Sequence, residues 1–229
     1  MRRLAILGAL LAAPALALAH HVELLPALEY EPPAPGSYVL HRIMPAPDGR
    51  VVGLSGEMAP LSRYTRGAIT LLGFIYTTCV DPDGCPLAYR VFEALGEAIA
   101  ARPQLHGKVR FVTLSFDPAR DTPEVMRDYA GSRAVDKGSA PRWYFLTTRS
   151  ARELMPLVEG FGQDIVTTVD RSSGKPRREL SHVLKVFLID RVGFIREIYT
   201  STFLHPQTLL YDIETLVMED ARAGSAGPR

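Results

Sequence analysis

Cysteine is scarce in this 229-residue chain: there are only two, Cys79 and Cys85. So few exclude a fold stapled together by disulfides, and a chain of this length closes a sizeable core by apolar burial alone. A bridge across so short a loop would contribute about 2.4 kcal/mol on the chain-entropy model, less than a long-range one. No Gly-rich phosphate loop, zinc-protease helix or nucleophilic serine elbow is present either, which removes three common enzyme classes. An excess of one charge is also missing: 26 Lys and Arg face 25 Asp and Glu, so bulk charge gives no reason to expect a nucleic-acid partner. With 47% hydrophobic, 22% charged and 8% aromatic residues, the composition is that of one ordinary globular domain without low-complexity disorder.

The N-terminus reads as an export signal. Arg2 and Arg3 precede an apolar run from Leu4 to Leu18, and small residues stand ahead of His20, which predicts cleavage after Ala19. The run is shorter than the roughly 20 residues of a comfortable membrane span, and Pro14 interrupts it; an uncleaved anchor is the alternative and the one route to a membrane. No cysteine follows the run to take a lipid. Export places the thiol pair where it can oxidise. Without Arg2 and Arg3 the formal charge passes from +1 to −1.

The expected organisation is a signal over 1–19, a Pro-rich linker over 20–37, one domain over 38–219 and a frayed tail over 220–229. Prolines at 26, 32, 33, 35, 45 and 47 disfavour regular helix in the early segment. Between them, Tyr38–Ile43 is expected to pair with Val51–Leu54 as a hairpin around Asp48-Gly49. Ala68–Tyr76 and Val109–Phe116 are almost uninterrupted apolar runs, as expected of strands buried on both faces, and Trp143–Leu146 reads as a third strand. Pro86–Ala101 carries Leu87, Val91, Leu95, Ala98 and Ile99 at helical spacing. Asp121 or Thr122 can cap a helix running to about Tyr129, and Thr147–Gly160 supplies another. Leu184–Ile189 and Phe194–Tyr199 read as a hairpin turning at Asp190-Arg191-Val192-Gly193, and Leu204–Met218 closes the domain as a helix. An early parallel crossover followed by a C-terminal hairpin and a last helix predicts an α/β, thioredoxin-like fold: a central mixed sheet flanked by helices, with an N-terminal hairpin extension.

Cys79 leaves the first buried strand and Cys85 starts the next helix. Helix amides favour negative charge there, so a thiolate is stabilised. Two thiolates within reach of each other either close a disulfide or hold a soft ion, for which Cu(I) is the best biological match. Copper needs at least one further ligand, and His182 is the best candidate: it follows a hydrophilic loop (Asp170–Glu179) and immediately precedes an apolar strand starting at Val183. His20 and His21 would begin the exported chain, where an amine and imidazoles suit Cu(II). His41, His106 and His205 read as surface or packing residues, and Met44, Met58, Met126, Met155 and Met218 as core filling. Arg171, Lys175, Arg177 and Arg178 form a basic run, either a solvated loop or a docking surface for an acidic partner.

Across roughly Tyr38–Met218 the chain resembles the Sco/SenC family of thioredoxin-fold copper proteins. Gly73-Phe74-Ile75-Tyr76-Thr77-Thr78-Cys79 resembles the family's strand leading into its first cysteine, and Cys85-Pro86 its second cysteine and helix start. Ser115-Phe116-Asp117-Pro118-Ala119-Arg120-Asp121-Thr122-Pro123-Glu124 is similar to its second-strand signature, and His182, 97 residues beyond Cys85, to its histidine ligand. The resemblance implies copper held by Cys79, Cys85 and His182. It also implies delivery of that copper to, or reduction of the thiols of, the binuclear copper site of cytochrome c oxidase, in the periplasm. The chain departs from the family twice, with C-x5-C for C-x3-C and Ser181 where members commonly place Asp. The competing reading is a metal-independent thiol-disulfide oxidoreductase in which one of Cys79 and Cys85 attacks and the other resolves; a thiol peroxidase is a third.

Overall fold

The computed structural model describes residue 25, residues 27–170 and residues 177–225; the expected signal, His20, His21, Arg171 and Lys175 lie outside them. In chain order the elements are β1 (Met44–Pro45), β2 (Arg50–Val52), β3 (Met58–Pro60), the single-turn α1 (Ser62–Thr65), β4 (Ile69–Ile75), α2 (Cys85–Ala100), β5 (Val109–Ser115) and α3 (Pro123–Ala130). They continue with β6 (Arg142–Leu146), α4 (Ala151–Gly160), β7 (Ile165–Asp170), β8 (Arg177–His182), β9 (Val186–Ile189), β10 (Phe194–Tyr199) and α5 (Pro206–Ser225).

Six strands form the central sheet in the order β1-β10-β9-β4-β5-β6. β4, β5 and β6 run parallel, whereas β9 is antiparallel to β4 and to β10. All seven residues of β4 are buried, because helices cover both faces of the sheet. The two-residue period of a strand divides its side chains between two cores. Ile69, Leu71 and Ile75 pack with α2 and α5 residues such as Leu87, Val91, Leu95, Leu209 and Ile213. Leu72 and Phe74 pack with Leu154, Leu157 and Val158 of α4. This is the mixed, helix-flanked sheet that the element order predicts.

Four expectations change. An N-terminal hairpin exists, but β2 pairs with β3, while Met44–Pro45 joins the edge of the main sheet at β10; Tyr38–Ile43 is not its partner. Asp48 holds the hairpin's start by accepting from the backbone N–H groups of Gly49 and Ser62, both at 2.9 Å. The expected hydrophilic loop is instead an antiparallel hairpin, β7 with β8, in register from Ile165↔His182 to Asp170↔Arg177, and the next strand starts at Val186 rather than Val183. Helix α4 begins only at Ala151, with Ser150 accepting from Glu153 N–H. Helix α5 continues past Met218, so residues 220–225 of the expected tail are helical.

Salt links explain that last extension. Arg196 on β10 donates to Asp190 at 3.0 Å and to both carboxylate oxygens of Glu219 at 3.1 and 2.6 Å, and Arg191 meets Asp220 at 2.9 Å. Asp190 also accepts from the N–H groups of Val192, Gly193 and Phe194, which fixes the β9–β10 turn. The early segment is bound to the same helix: Tyr38 and Tyr199 donate to the two oxygens of Asp212 at 2.5 and 2.6 Å. No helix among the described residues is long and apolar enough to cross a membrane.

Candidate metal centre

Three elements converge at one end of the sheet. β4 ends at Ile75, and the chain turns at once, with Cys79 N–H donating to the Tyr76 carbonyl at 3.1 Å. Residues 81–84 form a second turn, in which the Asp81 carboxylate accepts from Asp83 N–H at 3.1 Å and its carbonyl from Gly84 N–H at 3.0 Å. Arg90 of α2 reaches back to the Pro82 carbonyl at 3.2 Å. The turn delivers Cys85 to the first position of α2, ahead of Pro86. Proline suits that first turn, where its missing N–H costs nothing, and the helix start favours a negative sulfur.

Both cysteines are free thiols, Cys85 fully buried and Cys79 half-buried. The Cys79 thiol is lowered to about 6, chiefly by hydrogen bonding with the Cys85 side chain and further by the backbone N–H groups of Cys85 and Asp81, against the cost of burial. The Cys85 thiol is pushed up, first by that pairing with Cys79 and then by burial. At neutral pH one sulfur is therefore an anion and the other its proton-bearing partner.

His182 closes β8. Its Nδ1 lies 3.2 Å from the Val183 carbonyl; a carbonyl only accepts, so Nδ1 carries the proton. Nε2 is left as a lone pair 3.9 Å from Cys85 Sγ. Burial lowers the His182 pKa, against the Val183 hydrogen bond and the charge of Asp81, and this favours the neutral ring that metals bind. Phe116 meets that ring edge to face with centroids 4.6 Å apart, and Tyr76 at 6.3 Å. The Tyr76 hydroxyl donates to the Leu180 carbonyl at 3.0 Å, which fixes β8 beside the cysteine turn. A cleft of about 300 Å³ lined by Tyr76, Thr78, Asp117, Ala119, Arg120 and Leu180 opens alongside.

The 3.9 Å separation of Cys85 Sγ and His182 Nε2 is that of a sulfur–nitrogen hydrogen bond, and it sets two donor types that suit soft metal ions side by side. The third donor stands outside that pair: among the described residues no group of three His, Cys, Asp or Glu side chains is assembled to hold a metal ion. Cys79 lies in the turn before Cys85, and its pairing with Cys85 is the chief cause that lowers its pKa. The residues present fit a soft ion by donor type.

The other candidates stand apart. His41 is exposed, His106 bonds the Ala100 carbonyl at 2.9 Å, and His205 accepts Gln207 N–H at the start of α5. Of the methionines read as core, Met126 is buried, but Met44, Met58, Met155 and Met218 are exposed. Residues beyond the sequence reading also frame the site. Tyr76 and Phe116 read from sequence as strand residues within the family-like segments, with no site role of their own, and Asp121, a candidate helix cap, faces the cysteine turn while Thr122 caps α3. Aromatic residues directly flanking the cysteine strand and the Asp-Pro segment are the signal that sequence offers for them.

No curated protein matches the chain in sequence. Its fold is similar to that of a copper-bound ScoI from Arabidopsis thaliana (TM-score 0.60, 19% identity, covering 75% of this chain and 97% of that one). It is also similar to apo Sco1 from Thermus thermophilus (0.60, 23%, 79% and 95%). A third likeness is to BsSco, described as having a disulfide switch and as a member of the Sco family of cytochrome c oxidase assembly proteins (0.57, 19%, 79% and 98%). The SCO1/SenC family model matches residues 55–218, a span that contains both cysteines and His182, and the chain belongs to that family.

Proposed function

We propose that this protein is an exported copper carrier that takes Cu(I) between Cys79, Cys85 and His182 and passes it to the copper-site subunit of cytochrome c oxidase or another thiol client outside the cytosol. The observation that carries this reading is the 3.9 Å approach of His182 Nε2 to Cys85 Sγ, two donors 97 residues apart in sequence. The tautomer supports it, since the nitrogen facing the sulfur is the unprotonated one. Family membership supports the cargo, because relatives of the same fold have been solved with copper bound. The charged segment ahead of the apolar run, Arg2 and Arg3 before Leu4–Leu18, supports export.

The test is an anaerobic Cu(I) titration of the reduced protein against a chromophoric chelator, with His182→Ala alongside. One copper per monomer is expected. Losing a direct ligand should weaken binding by at least the ~100-fold that loss of an outer-shell partner can produce. A reduced wild-type protein that takes up no stoichiometric copper refutes the reading.

A second reading has its own observation. Cys79 is partly exposed and lowered to about 6 while Cys85 is buried behind it, the division between an attacking and a resolving thiol. Thiol-disulfide exchange with a client that proceeds equally fast in His182→Ala favours this role. The two roles share one state, since copper requires the pair reduced and exchange consumes that form.

A further inference from the structure

We propose that Asp121 is a positioning residue for the thiol pair, acting through Thr77. The inference rests on the reading of Cys79 and Cys85 as the working pair. Asp121 is fully buried, and a carboxylate removed from water is tolerated only when its oxygens are met by donors. Oδ1 accepts the Thr77 hydroxyl at 2.5 Å, and Oδ2 accepts Thr77 N–H at 3.1 Å and the Ser115 hydroxyl at 2.5 Å. Thr77 is the second residue after β4 and the second before Cys79; Ser115 is the last residue of β5. One side chain therefore ties the stem of the cysteine turn to the end of the neighbouring strand.

A capping role does not account for this arrangement. Thr122 already caps α3 by accepting Val125 N–H at 3.4 Å, and both Asp121 oxygens point away from the helix toward Thr77 and Ser115. The Ser115 hydroxyl oxygen in turn accepts Asp117 N–H at 3.0 Å, and Asp121 N–H donates to the Asp117 carbonyl at 2.8 Å, so the carboxylate itself is held in place. Hydrogen bonds to an ionised acceptor are about twice as strong as neutral ones, and two of the three come from Thr77. The turn thus leaves the sheet from a fixed point. Its far side is tied by the Asp81–Gly84 turn and Arg90, so Cys79 lies on a short segment held at both ends. Asp121 raises the effective concentration of one sulfur at the other.

The experiment uses the metal-free full chain equilibrated with glutathione at fixed pH. The reduced Cys79–Cys85 pair plus oxidised glutathione gives the Cys79–Cys85 disulfide and two reduced glutathiones, the released glutathione thiolates taking up the protein's remaining thiol proton and one from the buffer. Asp121→Ala should lower this equilibrium constant about tenfold or more, a potential about 30 mV less negative. Asp121→Asn, which keeps an acceptor for Thr77 N–H, should recover it to within about threefold, and Thr77→Val, which loses only the hydroxyl, should fall between. Asp190→Asn, destabilising but remote at the β9–β10 turn, should keep the wild-type constant.

A folded Asp121→Ala protein whose constant stays within about twofold of wild type overturns the proposal. Should that variant fail to fold, an unchanged constant in Thr77→Val overturns it instead. Because no metal is present, a wild-type protein that binds no copper defeats the carrier reading while leaving this result to be judged on its own.

Discussion

Replacing Cys85 by alanine should reverse the reactivity of Cys79 across the pH scale. The largest cause that lowers the Cys79 thiol from 9.0 to about 6 is the hydrogen bond from the Cys85 side chain. Cys85→Ala removes that bond and leaves the backbone donors, so the midpoint moves back toward 9.0. In the limit of full return, the thiolate fraction at pH 7 falls from ~90% to ~1%. A more basic thiolate is also a better nucleophile, and a Brønsted slope of 0.4–0.5 over three units is worth ~20-fold. The net effect in that limit is an alkylation rate ~4-fold lower at pH 7 but ~10-fold higher at pH 9, with the two curves crossing between about pH 7 and 8. The assay is iodoacetamide alkylation from pH 5 to 10 followed by mass spectrometry; wild-type Cys85, fully buried, does not compete. A variant that keeps its midpoint near 6 refutes the assignment of the shift to the neighbouring thiol.

The same depression links stability to pH. A thiol whose folded pKa lies below its unfolded value stabilises fully above 9.0 and loses that contribution as the pH falls through about 6. The urea midpoint of reduced wild type relative to Cys79→Ser should therefore rise with pH across this window, and a flat difference counts against the shift. Tyr76→Phe leaves the buried Leu180 carbonyl without its donor and should cost about 1–3 kcal/mol, together with weaker copper retention; an unchanged melt and affinity would exclude its role in holding β8. Phe116→Ala, at a position 2% exposed, should cost about 3–5 kcal/mol, while Phe116→Leu should preserve most of the stability yet loosen His182, seen as a faster loss of Cu(I) to a chelator. Equal loss rates in Phe116→Leu and wild type would remove the ring contact from the account.

The strands at Ile69–Ile75 and Val109–Ser115 are legible in the sequence because burial on both faces makes nearly every side chain apolar or small, with the half-buried Arg110 the exception. The β7–β8 hairpin is not, because its described side chains from Val166 to Val169 are exposed. A strand with water against it need not advertise itself by hydrophobicity, and only the β-branched run Ile165-Val166-Thr167-Thr168-Val169 carries a signal. The short N-terminal pairings depend on the edge that β10 offers to Met44–Pro45, a tertiary fact absent from local spacing. Within the site, the two cysteines announce themselves by their place between strand and helix. Sequence spacing can nominate His182 but not bring it to Cys85, since that contact requires β8 to be tied down through Tyr76 and Leu180. Asp121 hides its role for a simple reason: an Asp just before Thr-Pro at a helix start looks like a cap, and the donors that claim it come from residues 77 and 115.

The unequal burial of the two sulfurs sets an order of events. Cys85 forms part of the wall and Cys79 stands at the doorway, so whatever approaches from solution, ion or partner thiol, meets Cys79 first. On the proposed carrier reading, cargo would leave by the same threshold, with a recipient replacing the outermost donor while the inner two still hold on. Handover would then be a stepwise substitution at one sulfur, with no bare ion set free.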